Sequence, residues 1–336
     1  MKKVFILIMT ILAVAGCKNE LVTVDTWRDI PVVYGILNLN DTATYIRVEK
    51  AFVDKDKSPF QLAQIADSLY YKDITVSLIR VRNNERFNLI RVDGNTEGYV
   101  RNDGIFAKSP NYLYKIVNKT LSMRADEEWR LEVVRKGETK PIAKSATKII
   151  GDYEVTVPTS APVFLRYDNS FSLTLQTDEK SGRAYDVKML FNYDEGDPTR
   201  PNSTVAKQAI WDFTTSGQRR SSGNTPDPIM SFTRKGQDMY EFLGNTIPTS
   251  AGVLRTFKSI DFDVIIGGQE FLDYSNVGIA NTGITGSQTI PTYTNIENGY
   301  GIFASRNKTS KTGVKLSDVA IDLLKNGEYT KKLNFR

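Results

Sequence analysis

The sequence predicts a mostly β fold, with an N-terminal immunoglobulin-like β-sandwich followed by a second β-rich domain that has a short C-terminal helix. Short runs of alternating apolar and polar residues recur along most of the chain, and turn-forming residues separate them. Helical spacing of apolar residues occurs at only two places. A length of 336 residues fits two domains, with one large β domain as the alternative. The single cysteine leaves no pair that would mark a true immunoglobulin domain.

The first half is predicted to contain seven strands and one helix. The helix covers residues 59–69, because Ser58 is a suitable cap, Pro59 suits the first helical position and apolar residues follow at helical spacing. Turn pairs such as Asp93-Gly94 close the strands. The predicted strands are residues 31–37, 44–51, 74–79, 86–92, 112–117, 129–134 and 143–150.

The second half is also predicted to be rich in strands. Residues 157–162 contain two prolines and are typical of a linker, so the domains are predicted as 29–157 and 163–336. A tight turn at Asn298-Gly299 should precede a strand, and a helix should begin after Ser317 and end at Gly327. The other predicted strands are residues 170–175, 185–193, 209–213, 255–266 and 332–335.

The N-terminus has the features of a lipoprotein export signal. Two lysines precede residues 4–15, an apolar segment of 12 residues with one threonine. This is shorter than the roughly 20 residues that a membrane-spanning helix needs. Small residues then lead to Cys17, the only cysteine. We therefore predict a signal at residues 1–16, a diacylglyceryl group on Cys17 and a lipidated tether at 17–28; an ordinary signal peptide with a chance cysteine is the alternative.

The residue composition limits the partners and the catalytic mechanisms that the chain can have. Without the two signal lysines the chain has 42 basic and 39 acidic residues, which is too balanced to indicate a nucleic-acid partner. The chain has no histidine, which excludes Ser-His-Asp and Cys-His catalysis and the common zinc sites. We expect no metal, no cofactor and no enzymatic activity. Paired carboxylates, a Ser-Lys pair or an oxygen-ligated metal are the remaining catalytic options.

Two carboxylates form the first candidate site. Asp261 and Asp263 lie two residues apart on a predicted strand, so their side chains share one face, roughly 5 to 7 Å apart. This spacing is near that of glycosidase carboxylates. The alternative is an exposed sheet face, with Phe262 and Val264 directed into the core.

An acidic segment and the tryptophans supply two more candidates. Asp194, Glu195 and Asp197 lie in an oxygen-rich predicted loop that could hold calcium, although its spacing is not that of an EF-hand; a charged hairpin turn is the simpler interpretation. Exposed aromatic rings would suit sugars or a protein partner. Trp129 and Trp211 lie in strand patterns and are expected in the core, whereas Trp27 precedes the first strand.

Five segments resemble a group of uncharacterised outer-membrane lipoproteins of Bacteroidota, which are often encoded with TonB-dependent transporters. The resemblance implies an outer-membrane address, and the motifs look like core and turn residues, so no catalytic residue follows from it. It also implies candidate O-glycosylation at Thr42 and Ser68, which lie in Asp-Thr-Ala and Asp-Ser-Leu triplets. Both the periplasmic and the cell-surface face of the outer membrane are consistent with the sequence. The resembling segments are residues 31–37, 45–52, 67–71, 129–133 and 294–305.

These observations favour a non-enzymatic accessory or binding component of an envelope or transporter complex. It would contact the membrane through Cys17 and an outer-membrane transporter or another envelope protein through its β domains. A glycan-binding lipoprotein of a nutrient-uptake system is the second hypothesis. A carboxylate-dependent hydrolase is the third.

Overall fold

The structure is a computed structural model, and it describes residues 30–51, 58–177, 180–197, 199–200, 204–214, 218–219, 229–250, 252–280 and 292–336. The predicted export signal, Cys17, the tether and Trp27 lie outside these residues. Strands make up 47% and helices 17% of the structure, so the prediction of a mostly β protein is confirmed. In the described part of the chain, no helix is long and apolar enough to cross a membrane.

In the first half, the described residues form eight strands and three short helices. The helices are α1 (Pro59–Ala63), α2 (Ala66–Leu69) and α3 (Asn118–Leu121). The strands are β1 (Pro31–Leu37), β2 (Ala43–Lys50), β3 (Ile74–Arg80), β4 (Glu85–Asn88), β5 (Ile90–Asp93), β6 (Tyr112–Val117), β7 (Glu128–Arg135) and β8 (Pro141–Lys148).

Two predictions in this half need correction. The single helix predicted at 59–69 is divided, because Ile65 adopts an extended conformation between α1 and α2. The Ser58 cap is confirmed, and with Gln61 it forms a capping box. The strand predicted at 86–92 is two strands in different sheets: β4 pairs with β3, and β5 pairs with β6. Buried Leu89 lies where the chain passes from one sheet to the other.

Two sheets of the first half share one hydrophobic core. One contains β1, β2, β6 and β5, and the other has the order β4-β3-β7-β8. Their alternating side chains bury Val33, Leu78 and Trp129. Ile296 and Phe303 join the same core from far along the chain, and we call this the first core.

A long strand connects the two halves. The first part of β16 (Tyr300–Val314) pairs parallel with β1, and the second part pairs antiparallel with β15 (Leu254–Gly267). The nine-stranded sheet is therefore continuous across the run at 157–162. Its order is β12 (Val205–Asp212), β11 (Ala184–Gly196), β15, β16, β1, β2, β6 and β5, and β13 (Gln218–Arg219) lies beside β11. The predicted tight turn before this strand is confirmed, since Asn298 and Gly301 have φ values of 61° and 111°.

The second half has its own core, in which helices cover part of the β structure. Leu173, Phe191, Phe262 and Tyr240 are among its buried side chains, and we call it the second core. A three-stranded sheet has the order β14-β10-β9. The remaining elements are β9 (Glu154–Val157), β10 (Ser170–Gln176), β11 (Ala184–Gly196), β12 (Val205–Asp212), β13 (Gln218–Arg219), β14 (Ile229–Lys235), α4 (Gly236–Thr246), α5 (Gln269–Ala280) and α6 (Asp318–Asn326).

The C-terminal elements confirm one prediction and contradict another. The Ser317 hydroxyl accepts a hydrogen bond from the Ala320 N–H, so it caps α6 as predicted. The strand predicted at 332–335 is wrong: a 3-10 turn (Lys331–Leu333) is followed by Asn334 with a φ of 57°, which a strand does not tolerate. A single bridge still joins Phe335 to Arg255. Helices α4 and α5 were not predicted.

Candidate functional site

The two candidate carboxylates lie on the outer face of β15. Phe262 and Val264 are buried in the second core, so alternation places Asp261 and Asp263 on the other face. Asp261 accepts hydrogen bonds from the Asn192 amide at 2.8 Å and the Gly313 N–H at 2.7 Å. Its oxygens are thus used in contacts between neighbouring strands.

Asp263 is held in the same way. It accepts hydrogen bonds from the Lys308 ammonium at 2.9 Å and from the Ser310 hydroxyl at 2.7 Å. Partial burial raises the pKa of Asp263, but the hydrogen bonds from Lys308 and Ser310 outweigh it and hold the pKa below its usual range. A glycosidase acid needs the opposite shift, because it must keep its proton near neutral pH.

The acidic segment is part of a strand for most of its length. β11 runs to Gly196, so Asp194 and Glu195 belong to the strand and not to a loop. Asp194 pairs with Lys258 at 2.8 Å and Glu195 pairs with Arg255 at 2.9 Å, whereas Asp197 accepts hydrogen bonds from Thr199. Alternation separates neighbouring carboxylates, and each has a partner within the chain. Among the described residues, no group of three or more acidic, His or Cys side chains could hold a metal ion.

The tryptophans of the strands pack in the interior, as predicted. Trp129 is fully buried in the first core, and its indole N–H donates to the Glu127 carboxylate at 3.0 Å. Trp211 is half-buried, and its ring stacks on Phe242 with 5.6 Å between centroids. Neither ring forms an exposed stacking platform.

The predicted glycosylation positions differ in exposure. Thr42 is exposed at a bend before β2, and its carbonyl accepts a hydrogen bond from the Asn118 N–H at 3.0 Å. Ser68 is half-buried inside α2, where its N–H donates to the Ile65 carbonyl at 2.9 Å. A transferase would reach Thr42 more easily. Glycosylation stays a prediction at both residues.

A groove beside α5, which we call the α5 groove, is the candidate binding site that the sequence did not reveal. It encloses about 680 Å³, a volume that suits a small ligand or a short peptide segment. Phe271 forms part of one wall, and Gly267 allows this contact, because a Cβ at residue 267 would lie 2.7 Å from the ring. Its other lining side chains include Asp186, Lys188, Asp212, Ile265, Thr214, Ser275 and Arg306.

Charges in the α5 groove are balanced. Two acidic side chains, Asp186 and Asp212, face two basic ones, Lys188 and Arg306. The Lys188 ammonium lies 4.0 Å from the Asp212 carboxylate. The lining therefore favours a ligand that carries both signs or no net charge, such as a peptide segment. The spacing of apolar residues along α5 was the sequence signal for this helix, but the helix is too short for that spacing to stand out.

A second cavity of about 640 Å³ lies where the two halves meet. Asp126 forms one side, and its carboxylate accepts hydrogen bonds from the Lys180 N–H at 2.9 Å and the Ser181 hydroxyl at 2.6 Å. Glu270 also lines this cavity, and burial raises the pKa of its carboxyl group. Burial also raises the pKa of the Tyr293 hydroxyl to about 12, and the negative charges of Asp273 and Glu270 contribute to this shift.

No protein-family model and no curated protein matches the sequence. The C-terminal globular domain of an oligosaccharyltransferase from Pyrococcus abyssi matches 72% of this chain and 44% of its own length, with 8% identity and a TM-score of 0.25. The FN1-FN3 domains of chicken CNTN1 match 85% of this chain and 65% of theirs, with 8% identity and a TM-score of 0.20. CBD12 from CALX1.2 matches 83% of this chain and 100% of its own, with 9% identity and a TM-score of 0.20.

The chain thus spans less than half the length of the oligosaccharyltransferase domain. TM-scores at this level assign neither a fold family nor a function to the chain.

Proposed function

We propose that this protein is a non-enzymatic lipoprotein of the outer membrane that acts as an accessory or binding component of an envelope or transporter complex. The observation that carries the proposal is the N-terminal pattern: a basic start, an apolar segment at residues 4–15 and small residues before Cys17. A thiol at this position is where a diacylglyceryl group is added, and two or three acyl chains anchor a protein stably.

The arrangement of charged groups supports a binding role over a catalytic one. Asp261 and Asp263 bind neighbouring strands, and the pKa of Asp263 is shifted away from that of a general acid. The α5 groove offers instead a charge-balanced surface with Phe271 as an apolar contact. Such a lining suits a segment of a partner protein, because aromatic and charged side chains together give both affinity and register.

We further propose that the first half is an immunoglobulin-like β-sandwich. Two sheets pack over the first core, and the chain passes between them at Leu89. Strands that change sheet in this way are typical of sandwich folds.

The anchor is tested first. Cells grown with an alkyne fatty acid should incorporate the label into the native chain and not into the Cys17→Ser variant. The native chain should also sediment with outer membranes, whereas the variant should remain soluble or keep its signal. An unlabelled native chain would overturn the proposal.

The partner is tested by co-purification from gently solubilised outer membranes, with mass spectrometry of the bound proteins. Arg306→Glu and Lys188→Glu reverse charges inside the α5 groove, and Lys332→Glu reverses one on the exposed C-terminal turn. We expect a stoichiometric envelope protein with the native chain and with Lys332→Glu, and its loss with the two groove variants. A chain that always emerges alone would contradict the accessory role.

A glycan-binding role is the second candidate, and Phe271 in the α5 groove favours it. Sugars stack on aromatic faces and hydrogen-bond to carboxylates and hydroxyls, which Asp186, Asp212 and Ser275 provide there. A glycan array separates the two roles. Binding that is lost in Phe271→Ala would favour the glycan, and an array without signal would remove this candidate.

A further inference from the structure

One face of the nine-stranded sheet exposes apolar side chains where β1 and β16 lie side by side. Tyr34 and Tyr300 are each 50% exposed and Ile36 is 36% exposed. Val32 is paired with Tyr300 and Tyr34 with Ile302, so these side chains form one continuous surface. The opposite face of the same strands lies in the first core. We call this surface the β1–β16 patch: Val32, Tyr34, Ile36, Tyr300 and Ile302.

The patch lies next to the point where the chain arrives from its N-terminus. Ile30 is the first described residue, and Val32 is the first member of the patch. Only 12 residues lie between Cys17 and Ile30. In any conformation this length of chain spans at most about 45 Å. A lipid on Cys17 therefore confines the patch to the neighbourhood of the membrane surface.

From this placement we infer that the β1–β16 patch rests on the lipid–water interface of the membrane that holds the anchor. The inference depends on the proposed lipidation of Cys17. Tyrosine suits this interface, since its ring enters the apolar region while its hydroxyl stays hydrated. The anchor makes contact with the surface an intramolecular event, so weak affinity for lipid is sufficient.

Charge has a small part in this contact. Tyr300 and Ile30 line a shallow cavity of about 680 Å³ together with Glu138 and Lys140, one acid and one base. On the neighbouring strand β2, Arg47 lies opposite Tyr34 and is paired with Glu49 at 3.1 Å. The contact should therefore depend on apolar burial and show little sensitivity to salt.

The test uses the lipidated full chain in phosphatidylethanolamine–phosphatidylglycerol vesicles. Cys17 is the only cysteine and is blocked by the lipid, so an introduced cysteine carries a unique fluorescent label. Tyr34→Cys and Tyr300→Cys place the label in the patch. Val319→Cys, 44% exposed on α6, and Ile229→Cys, 55% exposed on β14 of the three-stranded sheet, are matched controls. Unchanged melting by circular dichroism shows that each variant is folded.

We expect lipids that carry a nitroxide quencher to reduce the fluorescence of the two patch labels and to leave both control labels unchanged. The loss should persist in high salt. Equal quenching at all four positions, or at none, would overturn the inference. Patch labels protected from aqueous iodide but untouched by the lipid quencher would also overturn it, because protein and not lipid would then cover the patch. Fatty-acid labelling of the same samples shows separately whether Cys17 carries its lipid.

Discussion

Each half of the molecule buries an arginine, and the two arginines are stabilised in different ways. The Arg80 side chain, 10% exposed, lies over the rings of Phe87 and Trp129 and pairs with Glu85 and Glu127. The Arg255 side chain is 2% exposed. It pairs with Glu195 at 2.9 Å and donates hydrogen bonds to the carbonyls of Leu333 at 2.6 Å and Pro248 at 2.9 Å.

The two arginines differ in how many other partners their neighbours keep when the arginine is removed. Glu127 also binds Arg82 at 2.9 Å and the Trp129 indole at 3.0 Å, so it keeps partners when Arg80 is removed. Arg255 connects Glu195 to two backbone carbonyls, one of which belongs to the C-terminal turn, whereas Arg80 donates to a single carbonyl, that of Leu121. Losing Arg255 leaves the buried Leu333 carbonyl without this donor and the Glu195 carboxylate, 27% exposed, without its cation. The comparison indicates that the contribution of a buried arginine to stability depends on how many groups lose their partner when it is removed, and not on its burial alone.

The largest effect is expected for Arg255→Met. We expect the free energy of unfolding to fall by about 3–5 kcal/mol, because Glu195 and the carbonyls of Leu333 and Pro248 lose their donor. Urea denaturation measures the loss, and carboxypeptidase should digest the C-terminus faster. Glu195→Gln is the comparison variant and should cost about 1.5–3 kcal/mol, since Gln still accepts a hydrogen bond but leaves the buried Arg255 cation without a counterion. A loss below about 1 kcal/mol for Arg255→Met would contradict the comparison.

Arg80→Met should cost less, about 1–3 kcal/mol, because Arg82 and Trp129 still bind Glu127. The double variant Arg80→Met/Arg82→Met removes both cations from Glu127. Its loss should exceed the sum of the two single losses, as expected for coupled residues. The same urea titrations measure all three variants. Simple additivity would show that Arg82 does not compensate for Arg80.

Tyr240→Phe tests a neutral buried group of the second core. Its hydroxyl lies 3.0 Å from the Leu165 carbonyl and 3.1 Å from the Ala320 carbonyl. Removing one buried hydrogen bond should lower the free energy of unfolding by about 0.5–1.5 kcal/mol. Tyr34→Phe, on the exposed β1–β16 patch, is the control and should leave stability unchanged. Equal effects of the two variants in thermal melts would refute the assigned role of the Tyr240 hydroxyl.

The smallest effects concern two carboxyl groups with opposite shifts. The lowered pKa of Asp263 adds stability that is present above the pKa of the unfolded chain and is lost as the pH falls through the folded pKa. Asp263→Asn should cost less than about 1 kcal/mol near pH 7, because solvent screens this pair, and nothing in acid. The raised pKa of Glu270 acts oppositely, and it reduces stability as the pH rises above about 4.

Glu270→Gln should therefore raise the melting temperature at neutral pH and leave it unchanged in acid. Melting curves across this pH range test both variants together. A shift of the same sign for Asp263→Asn and Glu270→Gln at neutral pH would show that one of the two assignments is wrong.

The sequence predicted the first half more accurately than the second. Strand β1 alternates strictly, because one face packs in the first core and the other is more exposed. In the second half, α4 and α5 cover parts of the β structure, and their short apolar patterns did not stand out between strands. The predicted sheet-face alternative for Asp261 and Asp263 agrees with the structure, since Phe262 and Val264 are buried. The α5 groove was not predicted, because residues from four strands and one helix form it.

The sequence by itself determined the features that depend on neighbouring residues: the strand alternation, the Ser58 and Ser317 caps and the turn at Asn298. Only the tertiary structure decided which strands are neighbours. Periodicity encodes the side on which a residue lies, but it does not encode its partner across the sheet. For that reason the parallel pairing of β1 with β16, and the passage of the chain between sheets at Leu89, required the folded molecule.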